Sequence, residues 1–479
     1  MTKTGTIPAR LAGVRITLVM EAVVGTLKNT IVFSCILGLS GCHQLDEIES
    51  GSEVKNTDPS QDQVTNSFSA LRDRISSLGV HTPDPGVILP MDDPKVELGR
   101  ALFFDKVVSG DQNIACSTCH HPSFGTSDGL PTAIGVGGAS LGPQRAASEG
   151  FVIPRNSPDI FNRGSSEWRT MFWDARVSAI AGYFDSPAGT GLPAGLDSVL
   201  AVQAMFPPTS RHEMRGEHGD NELADVEDGD LNSIWDGIAK RLVGIDGYVE
   251  MFADAYPETP IEDIGFEHAA NALAAFEVAA FTKTDSPFDQ FLAGDDMAMS
   301  EEQLRGAELF FQDGSCVSCH SGSLFTDQKT YAIASPQLGP GKGDEGLDIG
   351  RMLETEDESD RFAFRTPPLR NVELTGPYMH AGAYNTLEAA IRHHVSPRQA
   401  LLDYNGTHLT AAHAGTVMTD PQVQAEMVAA IDESLHGCAS LSEGNISDLV
   451  AFLKSLTDET ARDMSHLIPT SVPSGLTID

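Results

Sequence analysis

Basic residues are few in this sequence. Its 479 residues include 31 Lys and Arg against 68 Asp and Glu, which gives a formal net charge of −37 at pH 7. Binding to nucleic acid requires a basic surface that faces the phosphates, and this charge balance excludes it. A basic protein partner is compatible with the charge, because long-range attraction would steer it to the surface. A charged surface that keeps the protein soluble is the alternative interpretation.

Cysteines are also few. Seven cysteines in a chain of this length do not make the dense disulfide framework of a small secreted domain. Four of the seven fall in two copies of one pattern, Cys-x-x-Cys-His, and the chain is long enough for two or three domains. Cys438 has no evident mate, and we expect it to be a buried structural thiol. The cysteines therefore indicate two repeated sites rather than disulfide bonds.

The sequence has no apolar run long enough to cross a bilayer. The run from Ile31 to Leu39 follows Lys28 and fits the core of an export signal. The Leu-Ser-Gly-Cys that ends at Cys42 resembles the lipobox of bacterial lipoproteins. We therefore predict a lipoprotein-type signal peptide over residues 1–42, lipidation of Cys42, and a protein held by this lipid anchor alone in the periplasm or outer cell envelope. An ordinary cleaved signal is the alternative.

Aromatic residues are scarce in the segment that follows Cys42. Residues 43–80 are polar and acidic, a composition that cannot bury enough apolar surface to fold alone. We predict a disordered acidic tether over this segment. Ordered sequence is expected to begin between Phe68 and Leu89.

The alternating pattern of β-strands is scarce as well. Residues 261–281 carry a helical stripe of apolar side chains, and residues 446–459 carry another. Ser300 and Gln303 form a capping-box pattern in front of a further helix. Long loops follow each Cys-x-x-Cys-His. The sequence therefore predicts a mainly α fold with long loops and few or no strands.

An internal repeat is present. Residues 98–122, LGRALFFDKVVSGDQNIACSTCHHP, run parallel to residues 304–322, LRGAELFFQDGSCVSCHSG. Both pass from a helix through Leu-Phe-Phe and a turn to Cys-x-x-Cys-His, which predicts two similar domains. We place the N-terminal domain at 81–295, the C-terminal domain at 296–465 and a tail at 466–479.

The pattern Cys-x-x-Cys-His allows three kinds of site. Chance predicts about 0.003 copies in a chain of this composition, so two copies are not accidental. Zinc needs four ligands, whereas each motif offers at most three. A redox disulfide of the thioredoxin kind needs a βαβ setting, which the sequence does not show. Covalent c-type haem accounts for both copies.

Helical spacing explains how such a motif holds a haem. Residues i, i+3 and i+4 share one face of a helical turn, so both thiols can reach the vinyl groups while the histidine lies under the iron. His121 lies about 100° farther round the helix and is interpreted as a bystander. The haem-attachment residues are then Cys116, Cys119 and His120 in the first motif, and Cys316, Cys319 and His320 in the second.

The longer pattern around these motifs resembles the bacterial di-haem cytochrome c peroxidase family, which includes the MauG-type enzymes. The resemblance extends over residues 88–460 and is carried by ELGRALFFD, CSTCHHP, DGLPTAIGVGG, PRNSPDIFN, FWDAR, HEM and FRTPPLRNVELTGPYMHAG. It implies two c-type haem domains with one calcium ion between them. It also implies that the N-terminal haem reacts with peroxide and that the C-terminal haem takes part in electron transfer.

The resemblance assigns three catalytic positions. Glu213 matches the distal glutamate of the peroxidatic haem, where a carboxylate can take a proton from peroxide and return it to the leaving oxygen; a surface acid is the alternative. Gln203 matches a glutamine beside it. Trp173 matches the tryptophan between the two haems, where an indole offers a path for electrons, although core packing is compatible with it.

The resemblance also implies a calcium site. Asn156 and the backbone oxygens of Thr375 and Pro377 match the calcium ligands of the family. Oxygen-only ligation suits this hard cation.

The sequence departs from the ordinary peroxidases at Val136. Many family members close the resting N-terminal haem with a histidine sixteen residues after the proximal histidine, and Val136 occupies that position. Valine cannot ligate iron, so we expect a five-coordinate or water-bound N-terminal haem without reductive activation, as in MauG-like members. His212 is the histidine that could substitute.

A second departure concerns the distal ligand of the C-terminal haem. The family places it fourteen residues past the histidine of YMHAG, as methionine in ordinary peroxidases and tyrosine in MauG-like proteins. Counting from His380 gives His394, with His393 as the alternative if the helix is shifted. Met379 is excluded because it lies in the calcium-side loop. Two histidine ligands lower the potential relative to His/Met.

The leading interpretation is a lipid-anchored di-haem peroxidase that reduces hydrogen peroxide. Its electrons come from a small cytochrome c or cupredoxin that docks on the acidic surface. A MauG-like oxidase that modifies side chains of a partner protein is the first alternative, which Val136 favours and His394 does not. A non-catalytic di-haem electron carrier is the second, against which Glu213, Gln203 and Val136 argue. The resemblance also allows a homodimer.

Overall fold

The computed structural model of the protein describes residues 59–312, 316–343, 346–435 and 441–479, except for the side chains of 59–67. The predicted signal peptide, Cys42, the first part of the predicted tether and Cys438 lie outside the described residues.

Helices dominate the described part of the chain. The first eight are α1 (Pro59–Ser77), α2 (Pro94–Phe104), α3 (Cys116–Cys119), α4 (Val199–Ala204), α5 (Leu231–Leu242), α6 (Asp246–Ala255), α7 (Phe266–Phe281) and α8 (Pro287–Leu292). The others are α9 (Glu301–Phe310), α10 (Met352–Thr355), α11 (Leu387–Val395), α12 (Pro397–Asp403), α13 (Ala411–Ala414), α14 (Pro421–Ala429) and α15 (Glu443–Ser455). The predicted capping box is confirmed at α9, where the Ser300 hydroxyl and the Gln303 amide each accept the other's backbone N–H, at 3.3 and 2.7 Å.

The strands form two small antiparallel sheets. One has the order β1-β2-β3, with β1 (Thr170–Met171), β2 (Val177–Ile180) and β3 (Tyr183–Asp185); the other pairs β4 (Thr330–Ala332) with β5 (Ala363–Arg365). Met171 pairs with Val177 in the first sheet, and Tyr331 with Phe364 in the second. Helical residues make up 44% of the structure and strand residues 5%, which confirms the predicted mainly α fold.

The internal repeat of the sequence is a repeat of helix packing. Gly99 of α2 lies against Phe276 of α7, and Gly306 of α9 lies against Phe452 of α15. Each glycine comes five residues before the second phenylalanine of its Leu-Phe-Phe. A β-carbon on Gly99 would lie 1.9 Å from a backbone oxygen of α7, and one on Gly306 would lie 2.0 Å from a backbone oxygen of α15. Two helix pairs therefore cross at a glycine, one in each half.

Two hydrophobic clusters accompany these helix pairs. One gathers mostly residues 96–281 and the other mostly residues 288–456. Two segments pack against the opposite half of the chain. Leu71 and Ile75 of α1 belong to the second cluster. The first cluster contains, from the end of the chain, Ala461, Met464, Leu467 and Val472.

The prediction of a disordered tether through residue 80 is wrong for its last part. Residues 59–77 form α1, and Ile75 is completely buried. The ring of Phe68 meets Phe291 edge-on at 6.3 Å, and the Arg72 side chain donates to the Phe291 carbonyl at 2.7 Å. These apolar residues have their partner more than 200 positions away, so the polar composition of the segment did not reveal the contact.

No helix in the described part of the chain is both long enough and apolar enough to cross a bilayer.

Filling either helix crossing should destabilise the protein. Gly99→Ala or Gly306→Ala is expected to lower the free energy of unfolding by about 1–3 kcal/mol, because the new methyl group must displace a backbone carbonyl. Urea or thermal denaturation measures the change. Gly444→Ala is the matched control, since Gly444 is in the first turn of α15 and its nearest neighbour is 3.7 Å away. The control should be neutral or stabilise by up to about 1 kcal/mol. Equal losses in all three variants would contradict the packing argument.

Candidate active site

The first Cys-x-x-Cys-His forms a single helical turn, α3, with His120 directly after it. The His120 Nδ1 atom lies 3.1 Å from the carbonyl oxygen of Thr126, and this contact assigns the ring proton to Nδ1. The Ser157 hydroxyl donates to the Cys119 carbonyl at 2.7 Å and fixes the end of the turn. Burial lowers the pKa of His120 to about 4, so the imidazole is neutral. Its Nε2 lone pair is therefore free to bind a metal.

The second motif repeats this arrangement. Residues Cys316–Ser318 form a 3₁₀ turn, and the His320 Nδ1 atom lies 3.1 Å from the Phe325 carbonyl. Burial, reinforced by the neighbouring His394, lowers the pKa of His320 to about 4. In both motifs, then, a backbone carbonyl five or six residues on holds a neutral imidazole in a fixed orientation.

His394 faces His320. Their ring centroids are 6.2 Å apart with an interplanar angle of 63°. The Nδ1 atom of His394 bonds to the Ala390 carbonyl one turn earlier at 2.8 Å, which leaves Nε2 available. Two imidazole–metal bonds of about 2 Å, plus half a ring on either side, fill this separation. The two residues therefore fit one metal atom between them.

His393 cannot take the same role. It is fully buried, its Nε2 donates to the Ile333 carbonyl at 2.7 Å, and its Nδ1 accepts from the Tyr384 hydroxyl at 2.9 Å. Both ring nitrogens are thus used by the protein. Of the two histidines that the sequence left open, the geometry favours His394.

The two cysteines of the first motif, Cys116 and Cys119, are unbridged thiols. Burial raises the pKa of Cys116 to about 12 and that of Cys119 still higher. Cys116, Cys119 and His120 each keep some solvent exposure. Within the described residues, no three His, Cys, Asp or Glu side chains come together as a metal cluster. Two thiols and one imidazole on a single helical turn fit covalent haem, which needs this donor set.

Val136 lies directly beside the turn that carries Glu213. The Val136 N–H donates to the His212 carbonyl at 2.9 Å, and a β-carbon on Gly135 would lie 1.9 Å from that same oxygen. Residues Arg211–Arg215 form a π-helical turn, a geometry that often occurs at functional sites. The loop at Val136 is therefore in backbone contact with the turn that carries Glu213.

A buried arginine, Arg145, fixes the Val136 loop. Its side chain donates to the carbonyls of Ile134 at 2.6 Å, Gly135 at 2.9 Å and Ser140 at 3.0 Å. Sequence reasoning missed Arg145, because its acceptors are backbone atoms that no motif marks.

Burial raises the pKa of Glu213, and the cations Arg176 and Lys342 together with the Ser210 hydroxyl oppose the shift. Glu213 in turn contributes to the raised pKa of both Cys116 and Cys119, which places its charge near the first motif. A carboxyl group whose pKa is raised by burial is a candidate to accept and return a proton.

His212, the histidine that could substitute as a ligand, has other partners. The ring of His212 stacks on Phe151 at 4.3 Å, and its Nε2 pairs with Glu217 at 2.9 Å. Half of the His212 side chain is exposed. The arrangement therefore does not support His212 as a substitute ligand. Gln203 lies near the end of α4 and is partly buried.

Trp173 connects the two halves of the chain. Its indole N–H donates to the Asn156 carbonyl at 2.9 Å, and its own carbonyl accepts the Arg365 N–H at 2.7 Å. Phe172 precedes Trp173 and has φ of 68°, and Ala175 follows Asp174 and has φ of 53°. Left-handed backbone at two non-glycine residues is strained and clusters at functional sites.

The candidate calcium residues come from two adjoining segments. The Asn156 N–H donates to the His380 carbonyl at 2.8 Å, and the Asn156 side chain donates to the Leu130 carbonyl at 2.9 Å. Thr375 and Pro377 precede His380 in the same loop. The hydrogen bond between Asn156 and His380 holds these two segments together. Met379 belongs to the same loop as His380.

Asp174 is the centre of an ionic network that the sequence did not predict. It is completely buried and contacts Arg155 at 2.5 Å, Arg176 at 3.0 Å and Lys342 at 2.9 Å. Although burial opposes its ionisation, these three cations outweigh burial and hold the pKa of Asp174 well below its usual range. The motif FWDAR contains two of these residues, but the partner Lys342 lies 168 positions later.

The chain is similar in sequence to proteins of one known family. A model of the family "Di-haem cytochrome c peroxidase" matches residues 93–297. The chain is 32% identical over 307 residues to the methylamine utilization protein MauG of Methylorubrum extorquens, covering 64% of this chain and 70% of that protein. It is 30% identical over 325 residues to the cytochrome c551 peroxidase of Pseudomonas aeruginosa, covering 67% and 78%.

Solved structures show the same fold. A MauG-like protein associated with microbial copper homeostasis superposes with a TM-score of 0.54 at 26% identity, covering 82% of this chain and 97% of that one. The diheme peroxidase BthA from Burkholderia thailandensis has a TM-score of 0.55 at 19% identity, covering 84% and 94%, and supports the fold alone.

A mainly helical chain with two such histidine sites has the build of a di-haem c-type cytochrome. This chain belongs to the bacterial di-haem cytochrome c peroxidase family, whose members carry two c-type haems. The predicted resemblance is thereby confirmed, and so, at the level of the family, is the expectation of a peroxidase-type enzyme.

The facing pair His320 and His394 generates a spectroscopic prediction. The resting ferric protein should give one low-spin signal, from the haem between these two histidines, and one high-spin signal, from the haem beside Val136. His394→Ala should convert the low-spin signal to high spin. His393→Gln, the matched control on the neighbouring residue, should leave it in place. Electron paramagnetic resonance measures both; two low-spin haems in the unmodified protein would contradict the open first site.

Proposed function

We propose that this protein is a di-haem peroxidase that reduces hydrogen peroxide with electrons from a small redox protein. The observation that carries the proposal is Glu213, a carboxyl group with a raised pKa in a π-helical turn that contacts the loop of Val136. A valine offers no ligand to iron, and an acid–base group lies close by. An electron carrier has no use for this combination.

The haems would be held by the residues of the two motifs and would supply the iron that binds peroxide and accepts electrons. We assign the first to Cys116, Cys119 and His120. The second is assigned to Cys316, Cys319 and His320, with His394 as the opposite ligand. The carbonyl-bound Nδ1 of each proximal histidine fixes the ring and makes Nε2 the donor atom.

Glu213 performs the proton transfer in this proposal. Cleavage of the O–O bond of peroxide requires that a proton leave one oxygen and reach the other, which becomes the leaving group. Glu213 accepts the first proton as a carboxylate and returns it as a carboxylic acid. Gln203, whose amide can both donate and accept hydrogen bonds, orients peroxide or water beside it.

Trp173 is proposed as the electron path between the halves. Its indole is buried, hydrogen-bonded to Asn156 and adjacent to the anion Asp174.

Calcium and location complete the proposal. Asn156, with the backbone oxygens of Thr375 and Pro377, would bind one Ca²⁺ between the halves.

Family members are periplasmic, and Cys42 would anchor this one by lipid. The net charge of −37 favours a small cytochrome c or cupredoxin with a basic docking face as the electron donor. A homodimer is also proposed from the family resemblance alone.

Loss of Glu213 should abolish most of the peroxide turnover. Glu213→Gln is expected to lower it by about 10²-fold or more, because the amide cannot transfer the proton. In the unmodified enzyme the rate should rise with pH through the raised pKa of Glu213, since only the carboxylate accepts a proton; in Glu213→Gln this limb should disappear. Steady-state turnover with peroxide and a reduced cytochrome measures both. Glu217→Gln, on the exposed partner of His212, is the control, and unchanged turnover in Glu213→Gln would remove Glu213 from the mechanism.

A MauG-like oxidase that modifies a partner protein is the second candidate, because Val136 replaces the histidine of ordinary peroxidases. One assay separates the two functions. With peroxide and reduced cytochrome c, a peroxidase should oxidise the cytochrome in many turnovers. A long-lived state oxidised by two electrons, without turnover, would favour the protein-modifying oxidase.

A further inference from the structure

Tyr384 contacts His393, the residue next to the proposed haem ligand His394. Its hydroxyl donates to the Nδ1 atom of His393 at 2.9 Å, and the Nε2 atom of His393 lies 2.7 Å from the Ile333 carbonyl oxygen. A carbonyl oxygen can only accept a hydrogen bond, so Nε2 carries the ring proton and Nδ1 has a free lone pair. The O–H group of Tyr384 is therefore directed at a base.

The ring of Tyr384 extends the row of aromatic rings that begins at the second haem site. His394 faces His320. The ring of His394 meets that of His393 edge-on at 6.2 Å between centroids, and the centroid of the Tyr384 ring lies 5.5 Å from that of His393. One imidazole thus stands between Tyr384 and the proposed second ligand.

A second tyrosine continues the row toward the surface. Tyr404 meets Tyr384 edge-on at 5.6 Å, and His408 meets Tyr404 at 5.9 Å. The Tyr404 hydroxyl and the His408 Nε2 atom both bond to the Ala383 carbonyl, at 2.8 and 2.9 Å. Tyr384 is 8% exposed, Tyr404 is half-buried and His408 is exposed. The row therefore leads from a buried phenol to solvent.

The partner of the hydroxyl distinguishes Tyr384 from its neighbouring tyrosines. Tyr378 and Tyr404 donate to backbone carbonyls, which do not take up a proton. A phenol that loses an electron becomes a strong acid, and a positive charge left on a buried ring is costly. Oxidation of a buried tyrosine therefore needs a base within hydrogen-bond reach. Tyr384 has such a base in His393.

We propose that Tyr384 is a redox-active tyrosine that relays electrons from the external donor to the second haem site. The inference rests on the proposed function, which supplies both the oxidising equivalents and the donor. An oxidising equivalent that peroxide leaves at the site of His320 and His394 takes one electron from Tyr384. The O–H bond breaks, and its proton moves to the Nδ1 atom of His393.

The protonated His393 keeps both of its N–H groups paired, one with the Tyr384 oxygen and the other with the Ile333 carbonyl. The small redox protein then returns one electron to Tyr384 by way of the Tyr404 ring, and the proton moves back from His393 to the phenol oxygen. Two such cycles deliver the two electrons that the reduction of one peroxide consumes.

Freeze-quench electron paramagnetic resonance tests the proposal. Protein mixed with peroxide in the absence of a donor should show a tyrosyl radical, whose signal narrows when the chain carries ring-deuterated tyrosine. Tyr384→Phe should lose this radical and keep the low-spin ferric signal of the second haem. Tyr256→Phe is the matched control and should keep both signals, since the Tyr256 hydroxyl donates to the His268 carbonyl at 2.6 Å and has no base as its acceptor.

His393→Gln tests the proton acceptor. Glutamine still accepts a hydrogen bond from the phenol but is not a base. The radical should be lost as in Tyr384→Phe, while the low-spin ferric signal stays. A purely structural hydrogen bond gives a different result, because neither substitution would then change the radical. The proposal is overturned if the unmodified protein shows no tyrosyl radical, or if the radical persists in either variant.

Reduced cytochrome c tests the relay. Its addition after peroxide should remove the radical. Tyr384→Phe should lower the kcat for cytochrome oxidation by about tenfold and leave the first reaction with peroxide unchanged, because that reaction precedes the relay. A radical that survives the reduced cytochrome, or an unchanged kcat in Tyr384→Phe, would contradict the relay.

The two hypotheses fail separately. If the unmodified protein forms the radical but does not oxidise cytochrome c, the proposed peroxidase function is wrong and Tyr384 is still a redox-active residue. If the protein oxidises cytochrome c with peroxide but shows no radical that depends on Tyr384, the role of Tyr384 alone is wrong.

Discussion

The buried carboxylate of Asp174 is the interaction on which the arrangement of the two halves depends. A fully buried anion is stable only where cations surround it, and here the first half supplies Arg155 and Arg176 while the second supplies Lys342. Arg351, also from the second half, donates to the carbonyls of Asp174 and Ala175. The same residues adjoin Trp173 and Asn156, so the ionic contact lies beside the proposed electron path.

The proximal histidines illustrate how much of the site a local pattern determines. The order Cys-x-x-Cys-His defines one helical turn, and the carbonyl that orients each imidazole lies only five or six residues farther on. The residues that form and orient each proximal histidine therefore lie within at most eleven consecutive positions. The proposed second ligand could also be found by counting, because His394 and the reference histidine His380 lie in one continuous stretch. The ring contact between His394 and His320 agrees with that count.

Other features were beyond sequence reasoning because their partners are distant. Helix α1 looked like a tether, since nothing near Leu71 and Ile75 shows that residues 288–456 cover them. The network of Asp174 joins residues 168 positions apart. Arg145 binds carbonyl oxygens, which every residue possesses and no motif can mark. Composition predicts which segments can fold, but it does not say what a weakly apolar segment will pack against.

The packing of the two clusters has a consequence for the order of assembly during synthesis. Residues 461–472 complete the cluster of the first half, and α1, which precedes that half, completes the cluster of the second. Neither half thus possesses its full set of contacts within its own stretch of sequence. The hydrophobic cluster of the first half therefore stays incomplete until nearly the last residues of the chain have been synthesised. Because the two ends are exchanged in this way, cutting the chain between the halves would separate each hydrophobic cluster from a segment that packs in it.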